Sequence, residues 1–229
     1  MIELIGVSLR VVGTDGYTET RDAISHDWLR FFSQYEVVPL LIPNVPSGSL
    51  ALLEIMEVSS LLLVGGNDVA PLDEDEGMLH IDGVSRERDI TEHAMIEHAV
   101  RERLPLLGVC RGMQMLNTYF GGQIVRDVSA ICGHPEAHVS VSHTVDFIDA
   151  KYQRQFGTSI AQTNSFHRQA VTSSTLAAEL RPFAVARDGI VEGIYHPELP
   201  IVGIQWHPER AKSPVKVDRI LIDNWLGRR

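Results

Sequence analysis

The sequence contains few cysteines and no long uninterrupted apolar run, and its basic residues are fewer than its acidic ones. Two cysteines in 229 residues exclude a disulfide-rich scaffold, and a chain of this length buries enough apolar surface to fold without cross-links. The 20 Lys and Arg residues are outnumbered by 30 Asp and Glu residues, which gives a formal net charge of −10. Nucleic-acid-binding surfaces concentrate Lys and Arg, so we expect no nucleic-acid partner. A small anionic ligand in a local basic pocket is compatible with this charge.

The sequence also lacks recognisable export and membrane-spanning segments. Its first residues, MIELIGVSLR, do not have the basic and apolar regions of a secretory signal. The longest uncharged stretch, residues 37–53, contains Pro39, Pro43 and Pro46, which do not suit a helix that crosses a bilayer. We therefore expect a cytoplasmic protein that does not bind to a membrane.

Short apolar runs alternate with helical periodicity through the first half of the chain. This order predicts an α/β fold with three layers, in which helices cover both faces of a mostly parallel, flavodoxin-like central sheet. From about residue 124, β-branched residues and polar turns indicate further strands. For some of these strands, antiparallel pairing is left open. We find no linker composition, so we expect one domain over residues 1–229. The predicted strands are 3–9, 37–42, 61–64, 104–109 and 201–206, and the predicted helices are 18–35, 50–58, 90–100, 111–120 and 215–226.

A cysteine between two glycines lies at the carboxyl end of the fourth predicted strand. In LPLLGVCRGMQML, Cys110 comes two residues after Gly108 and two residues before Gly112, where the strand gives way to a helix. This is the spacing of a nucleophile elbow, a strained turn that needs small residues on both sides. The following helix N-terminus lowers the pKa of a thiol and offers unpaired N–H groups. The pattern predicts a nucleophile, and the alternative is a small buried apolar side chain.

A histidine and a carboxylate follow the strand predicted at 201–206. His207 and Glu209 are two residues apart, and extended backbone at this spacing places both side chains on one face. We expect Glu209 to orient the His207 imidazole, which then serves as the base for Cys110. The alternative is a surface turn with a local hydrogen bond. The Gly65-Gly66 loop after the third strand is either a plain turn or the source of an oxyanion donor, the Gly66 amide.

Residues 132–143 are rich in side chains that bind metals in other proteins. Cys132, His134, His138 and His143 follow the pattern C-x-H-x₃-H-x₄-H, which differs from the paired spacing of structural zinc sites. We therefore expect histidines that are solvated or line the cleft, and we expect neither a metal ion nor an organic cofactor. A metal site is the alternative.

Four motifs in this chain resemble the class I glutamine amidotransferase superfamily, and within it the γ-glutamyl hydrolase, or peptidase C26, branch. They are VGGNDV (64–69), GVCRGMQML (108–116), NSFHRQAV (164–171) and GIQWHPER (203–210). The resemblance implies a hydrolase that cleaves a γ-glutamyl amide bond through a thioester and releases glutamate. It makes Cys110 the nucleophile, His207 the base and Glu209 its partner, and it gives the oxyanion hole to the Gly66 and Arg111 amides.

The resemblance also implies a set of substrate contacts. Gln114 contacts the glutamyl part of the substrate and His167 faces the cleft, although His167 is otherwise a loop histidine. Tyr17 and Arg21 lie near the start of the first predicted helix, where they would meet a nucleotide. The candidate substrate-binding residues are Asn67, Gln114, His167, Tyr17 and Arg21.

The segment YTETRDAISHDWLRFF (17–32) and the WHPER motif make the sequence similar to γ-glutamyl-CDP-amidate hydrolases of bacterial surface polysaccharide synthesis. A γ-glutamyl-γ-aminobutyrate hydrolase of polyamine breakdown is a second possibility, but residues 70–80 lack the Tyr-Gly pair common in those enzymes. A glutaminase that delivers ammonia to a separate synthase is a third, and a non-catalytic member of the fold is a fourth. The expected partner is a small γ-glutamyl substrate, and a homodimer is left open.

Overall fold

A computed structural model describes residues 3–13, 19–70, 83–133 and 138–228. Its helices are α1 (His26–Phe32), α2 (Pro46–Ile55), α3 (Arg86–Glu102), α4 (Arg111–Tyr119), α5 (Ser129–Cys132), α6 (Ala150–Phe156) and α7 (Val215–Trp225). Its strands are β1 (Glu3–Ser8), β2 (Arg10–Gly13), β3 (Thr20–Ala23), β4 (Val37–Ile42), β5 (Ser60–Leu63), β6 (Leu106–Val109), β7 (Val139–Phe147), β8 (Ile160–Phe166), β9 (Val171–Thr172), β10 (Arg181–Ala186), β11 (Ile190–Tyr195) and β12 (Ile201–Ile204).

The central sheet has a parallel half and an antiparallel half. The order β4-β1-β5-β6-β12 is parallel throughout, and β11, β10, β7 and β8 extend it with antiparallel pairs. β9 pairs with β11 beside this path. The predicted α/β fold is confirmed, and the strands expected after residue 124 form the antiparallel half. β12 returns to the parallel half, so the end of β12 lies next to the end of β6.

Alternation along the central strands divides the apolar side chains between two cores. Leu62 of β5 packs in a core with Trp28 of α1 and Trp225 of α7, whereas its neighbour Leu61 packs in a second core with Met95 of α3. Full burial of one such side chain contributes about 1.5–3 kcal/mol to folding. Helices therefore cover both faces of the sheet, and the carboxyl edge of the parallel strands is where ligands bind in open α/β sheets.

The first helix is shorter than its sequence pattern predicts. The apolar spacing predicts a helix over 18–35, but α1 comprises His26–Phe32, and β3 precedes it. Ser25 caps α1, because its side chain accepts the N–H of Asp27 at 3.2 Å. β3 pairs with β2 in a separate two-stranded sheet. The prediction of a longer helix is wrong because strand pairing with β2 overrides the helical periodicity of this segment.

No helix in the part of the chain that the structure describes combines the length and apolarity needed to cross a bilayer. The longest helix among the described residues, α3, has 17 residues and carries charged side chains along its length.

Candidate active site

Cys110 occupies a sharp turn between β6 and α4. Its φ of 54° and ψ of −107° belong to neither helix nor strand, and its N–H donates to the Ile204 carbonyl at 2.7 Å. A Cβ atom on Gly108 would lie 2.6 Å from the carbonyl carbon of Gly112, and one on Gly112 would collide with the Leu63 carbonyl oxygen. Both glycines are therefore required by close backbone contacts, as in a nucleophile elbow.

His207 and Glu209 are in contact just beyond the end of β12. His207 Nδ1 lies 2.7 Å from Glu209 Oε1, and both side chains are almost completely buried. The backbone between them is a turn rather than a strand, and the Arg210 N–H donates to the His207 carbonyl at 3.3 Å. The expected contact is thus present, but the expectation of extended backbone is wrong because β12 ends at Ile204.

The opposite side of the His207 ring faces the cysteine. A Cβ atom built on Gly65 would lie 2.6 Å from His207 Cε1, 3.5 Å from His207 Nε2 and 3.4 Å from Cys110 Cβ. The imidazole and the cysteine side chain therefore border the same small space. Since Glu209 holds Nδ1, Nε2 is the nitrogen available to the sulfur.

Electrostatic coupling favours a thiolate next to an imidazolium. Burial opposes ionisation of Cys110, but the charge and hydrogen bond of His207 lower the pKa of its thiol below the usual value. Burial also opposes a charged His207, but Cys110 and Glu209 raise the pKa of its imidazole to about 9. Both shifts favour the ion pair, which is the reactive form of a cysteine nucleophile.

Asn164 fixes the backbone of His207. Its Oδ1 accepts the His207 N–H at 2.9 Å, and its Nδ2 donates to the carbonyls of His207 at 2.8 Å and Ala211 at 3.1 Å. Asn164 is fully buried in β8, which lies in the antiparallel half of the sheet. Sequence reasoning gives it no role, although it opens the NSFH motif.

A buried ion-pair network supports the turn from the other side. Glu92 of α3 accepts hydrogen bonds from Arg111 and, at 2.9 Å, from Arg88 Nε. Arg88 also donates to the carbonyls of Val64 at 2.6 Å and Gly65 at 3.2 Å. Arg88 thus pairs with Glu92 along its own helix. The pair also anchors the loop after β5 and the first residue of α4.

The two candidate oxyanion donors, Gly66 and Arg111, belong to the loop after β5 and to the start of α4. Gly66 has a φ of 124°, and a Cβ atom there would lie 2.9 Å from the side chains of Arg10 and Arg88. Arg111 is the first residue of α4, and its backbone N–H contributes to the lowered pKa of Cys110. Their function as oxyanion donors stays a prediction.

Two of the candidate substrate-binding residues make hydrogen bonds within the protein. Asn67 accepts the Val11 N–H and donates to the Val11 carbonyl, both at 2.9 Å, so its amide fastens β2 to the loop after β5. Gln114 Nε2 donates to the Gln169 carbonyl at 2.8 Å and lies 3.3 Å from Gln205 Oε1. The roles of Asn67 and Gln114 in substrate binding stay predictions.

The remaining candidates are placed differently. Burial of His167 opposes a charged ring, but Glu192 and, to a smaller extent, Cys110 raise the pKa of its imidazole. Arg21 is exposed on β3 and pairs with Glu19 at 2.7 Å. Tyr17, together with His134, lies outside the described residues.

Phe166 is a partly exposed aromatic side chain beside His207. The centroids of the two rings are 5.7 Å apart and the rings meet edge to face. The Arg210 guanidinium lies 4.5 Å from the centroid of the Phe166 ring, in a cation–π contact. Phe166 and Arg210 belong to the NSFH and WHPER motifs, but their contact depends on the fold and is not visible in the sequence.

A glutaminase domain of known structure has a similar fold. The glutaminase domain of Trypanosoma brucei CTPS with bound acivicin superposes with a TM-score of 0.69 at 15% identity, over 99% of this chain and 95% of that chain. At this identity the likeness shows a common fold.

Sequence comparisons identify the family. Gamma-glutamyl-CDP-amidate hydrolase of Campylobacter jejuni is 30% identical over 210 residues, which are 91% of each chain. Protein PB2B2.05 of Schizosaccharomyces pombe is 35% identical over 160 residues, which are 66% of this chain but 62% of that protein. The profile of the Peptidase C26 family matches residues 3–209. The chain therefore belongs to the Peptidase C26 family.

Proposed function

We propose that this protein is a cysteine-dependent hydrolase that cleaves a γ-glutamyl amide bond and releases glutamate. One observation carries the proposal: the His207 ring contacts Glu209 through Nδ1 at 2.7 Å and borders the same space as Cys110 on its other side. A nucleophile, a base and an orienting carboxylate in this order form the relay used in covalent acyl transfer.

The first half of the reaction forms an acyl-enzyme. The Cys110 thiolate attacks the δ-carbonyl carbon of the γ-glutamyl group, and the carbonyl oxygen becomes an oxyanion. The amides of Gly66 and Arg111 stabilise that charge, and one such donor typically contributes about 3 kcal/mol. His207 donates its proton to the departing nitrogen as the C–N bond breaks, which leaves a γ-glutamyl thioester on Cys110.

The second half regenerates the enzyme. His207, now neutral, takes a proton from water, and the resulting hydroxide attacks the thioester carbonyl. The C–S bond breaks, glutamate leaves, and the thiolate faces the imidazolium again. Glu209 accepts a hydrogen bond from Nδ1–H throughout, so that Nε2 carries out each proton transfer.

We further propose a γ-glutamyl-CDP-amidate as the substrate, with the amidate as the leaving group. The support is the relative of that name, which aligns with 91% of this chain, and the pair formed by Phe166 and Arg210 beside His207. An exposed aromatic ring can stack on a nucleobase, and a guanidinium can bind phosphate oxygens.

A substrate panel tests this proposal. Glutamate release is measured with γ-glutamyl-CDP-amidate, γ-glutamyl-γ-aminobutyrate and glutamine, for the wild-type protein and for Cys110→Ala. We expect the highest kcat/KM with the CDP-amidate and no turnover by Cys110→Ala. Preference for another amide would show that the leaving group is not the CDP-amidate. Undiminished turnover by a folded Cys110→Ala would overturn the hydrolase mechanism.

A further inference from the structure

Three histidines and a glutamate meet beside the proposed nucleophile. His138 precedes β7, His143 lies within β7, His167 follows β8 and Glu192 lies within β11. Their ring nitrogens lie 3.7, 3.5 and 3.5 Å from a single atom, Glu192 Oε1. The side chains of His138, His167 and Glu192 are at most 2% exposed, and that of His143 is 17% exposed.

Several polar atoms of this cluster have no hydrogen-bond partner among the described residues. They are His143 Nε2, His167 Nε2 and both carboxylate oxygens of Glu192. The nitrogen of His138 that faces the cluster, Nδ1, has a weak contact with Ser165 Oγ at 3.3 Å. Leaving one buried polar atom unsatisfied costs about 1–3 kcal/mol, and more for a charged group. A cluster of such atoms aimed at one point is therefore expected to bind something that satisfies them together.

The spacing of the cluster suits a metal ion better than direct hydrogen bonds. N–H···O bonds have N···O distances of about 2.7–3.2 Å, and the three distances to Glu192 Oε1 are longer. Tetrahedral zinc with ligands at about 2.0–2.2 Å separates neighbouring ligand atoms by about 3.4 Å. The ligand atoms of His138, His167 and Glu192 all lie within 4.8 Å of one another.

The outer nitrogens of two rings are held as they are in metal sites. His138 Nε2 lies 2.7 Å from Asp188 Oδ2, and His167 Nδ1 lies 2.9 Å from the Gln169 carbonyl oxygen. Each outer nitrogen therefore carries a proton and donates it, so that the neutral ring has its lone pair on the nitrogen that faces the cluster. Metal-binding histidines almost always have such a partner, a carboxylate or a backbone carbonyl.

The neighbouring Cys132 is not part of the ligand set. Its thiol donates a hydrogen bond to Asp188 Oδ2 at 3.2 Å and is therefore directed to Asp188 as a thiol rather than a thiolate ligand. The ligand set is thus the imidazoles of His138 and His167 and the carboxylate of Glu192, and His143 lies beside it, 3.5 Å from Glu192 Oε1.

We propose that His138, His167 and Glu192 bind one Zn²⁺ ion. A tetrahedral zinc ion with three protein ligands takes a water molecule as its fourth. The ion joins the start of β7, the end of β8 and β11 next to Cys110, and it takes no part in the proposed hydrolysis. The sequence pattern from Cys132 to His143 does not reveal this site because Glu192 and His167 come from other strands.

Metal analysis of untagged protein tests the proposal. Protein stripped with a chelator is titrated with Zn²⁺ alone, and bound metal and Tm are measured. We expect one Zn²⁺ per chain and a higher Tm after binding. Co²⁺ in place of Zn²⁺ should give the intense visible absorption of a tetrahedral site without thiolate ligands.

Variants separate the site from adventitious binding. Glu192→Gln should lose the stoichiometric ion and the gain in Tm, while His26→Ala, which changes an exposed histidine on α1, should keep both. Failure of the stripped wild-type protein to bind Zn²⁺, or equal uptake by the folded Glu192→Gln variant, would overturn the proposal. Since the wild-type titration needs no variant, instability of Glu192→Gln leaves the test intact.

Discussion

The side-chain amide of Asn164 makes hydrogen bonds with both backbone groups of His207. Its Oδ1 accepts the His207 N–H at 2.9 Å, and its Nδ2 donates to the His207 carbonyl at 2.8 Å. The strand β8 that carries Asn164 lies at the far edge of the sheet from β4. The position of the proposed base therefore depends on the antiparallel half of the fold, while the nucleophile belongs to the parallel half.

Replacing Asn164 tests this positioning role. Asn164→Ala removes both bonds to His207, and a shift of about 1 Å in a catalytic group costs about 100-fold in rate. We expect kcat to fall by about that factor with KM nearly unchanged. Asn164→Asp keeps the acceptor for the His207 N–H and should restore part of the rate. An unchanged kcat in Asn164→Ala would show that these hydrogen bonds to His207 have no catalytic consequence.

The two cysteines should differ in reactivity towards iodoacetamide. His207 lowers the pKa of the Cys110 thiol in spite of burial, whereas burial and Asp188 raise that of Cys132 to about 11. Because the thiolate is the reactive form, Cys110 should be labelled first at neutral pH although it is the more buried thiol. Peptide mass spectrometry gives both rates in one sample. Faster labelling of Cys132 would mean that exposure, not ionisation, governs the reaction.

The rate should fall in alkaline solution. The coupling to Cys110 and Glu209, which outweighs burial, raises the pKa of His207 to about 9, so the imidazolium is present below this pH and lost above it. Without that proton the leaving nitrogen cannot be protonated, and kcat/KM for glutamate release should decline through pH 9. On the acid side the rate should fall where the Cys110 thiolate is protonated. A rate that keeps rising above this pKa while the protein stays folded would contradict the assignment.

The buried network around Glu92 should contribute strongly to stability. Glu92→Gln removes the negative charge between Arg88 and Arg111, and breaking a buried ion pair in this way costs about 3–5 kcal/mol. Asp27→Asn, which breaks the exposed pair with Arg30, should cost less than about 1 kcal/mol. Urea unfolding of both variants measures the difference, and equal costs would mean that the network is not a stabilising element.

The sequence predicts best those features that depend on neighbours along the chain. The elbow at Cys110 requires small residues two positions away on each side, so Gly108 and Gly112 reveal it directly. The core helices and strands follow from local apolar periodicity. The α/β fold follows from their order.

Features that depend on distant strands are beyond local reasoning. The β2–β3 hairpin replaces part of the predicted first helix, and Asn67 fastens β2 from a loop distant in sequence. The contact between His207 and Glu209 arises from a turn that alternation does not describe. Asn164 and Glu192 acquire their roles only when the antiparallel half of the sheet brings them to the site.

The proposed thioester on Cys110 is the most direct test of the mechanism. Protein mixed with the γ-glutamyl substrate is quenched in acid during turnover, and its peptides are weighed by mass spectrometry. We predict a γ-glutamyl adduct on the peptide that contains Cys110, formed and lost at rates that account for glutamate release. Turnover that proceeds without any adduct on Cys110, and that persists in a folded Cys110→Ala variant, would contradict the account.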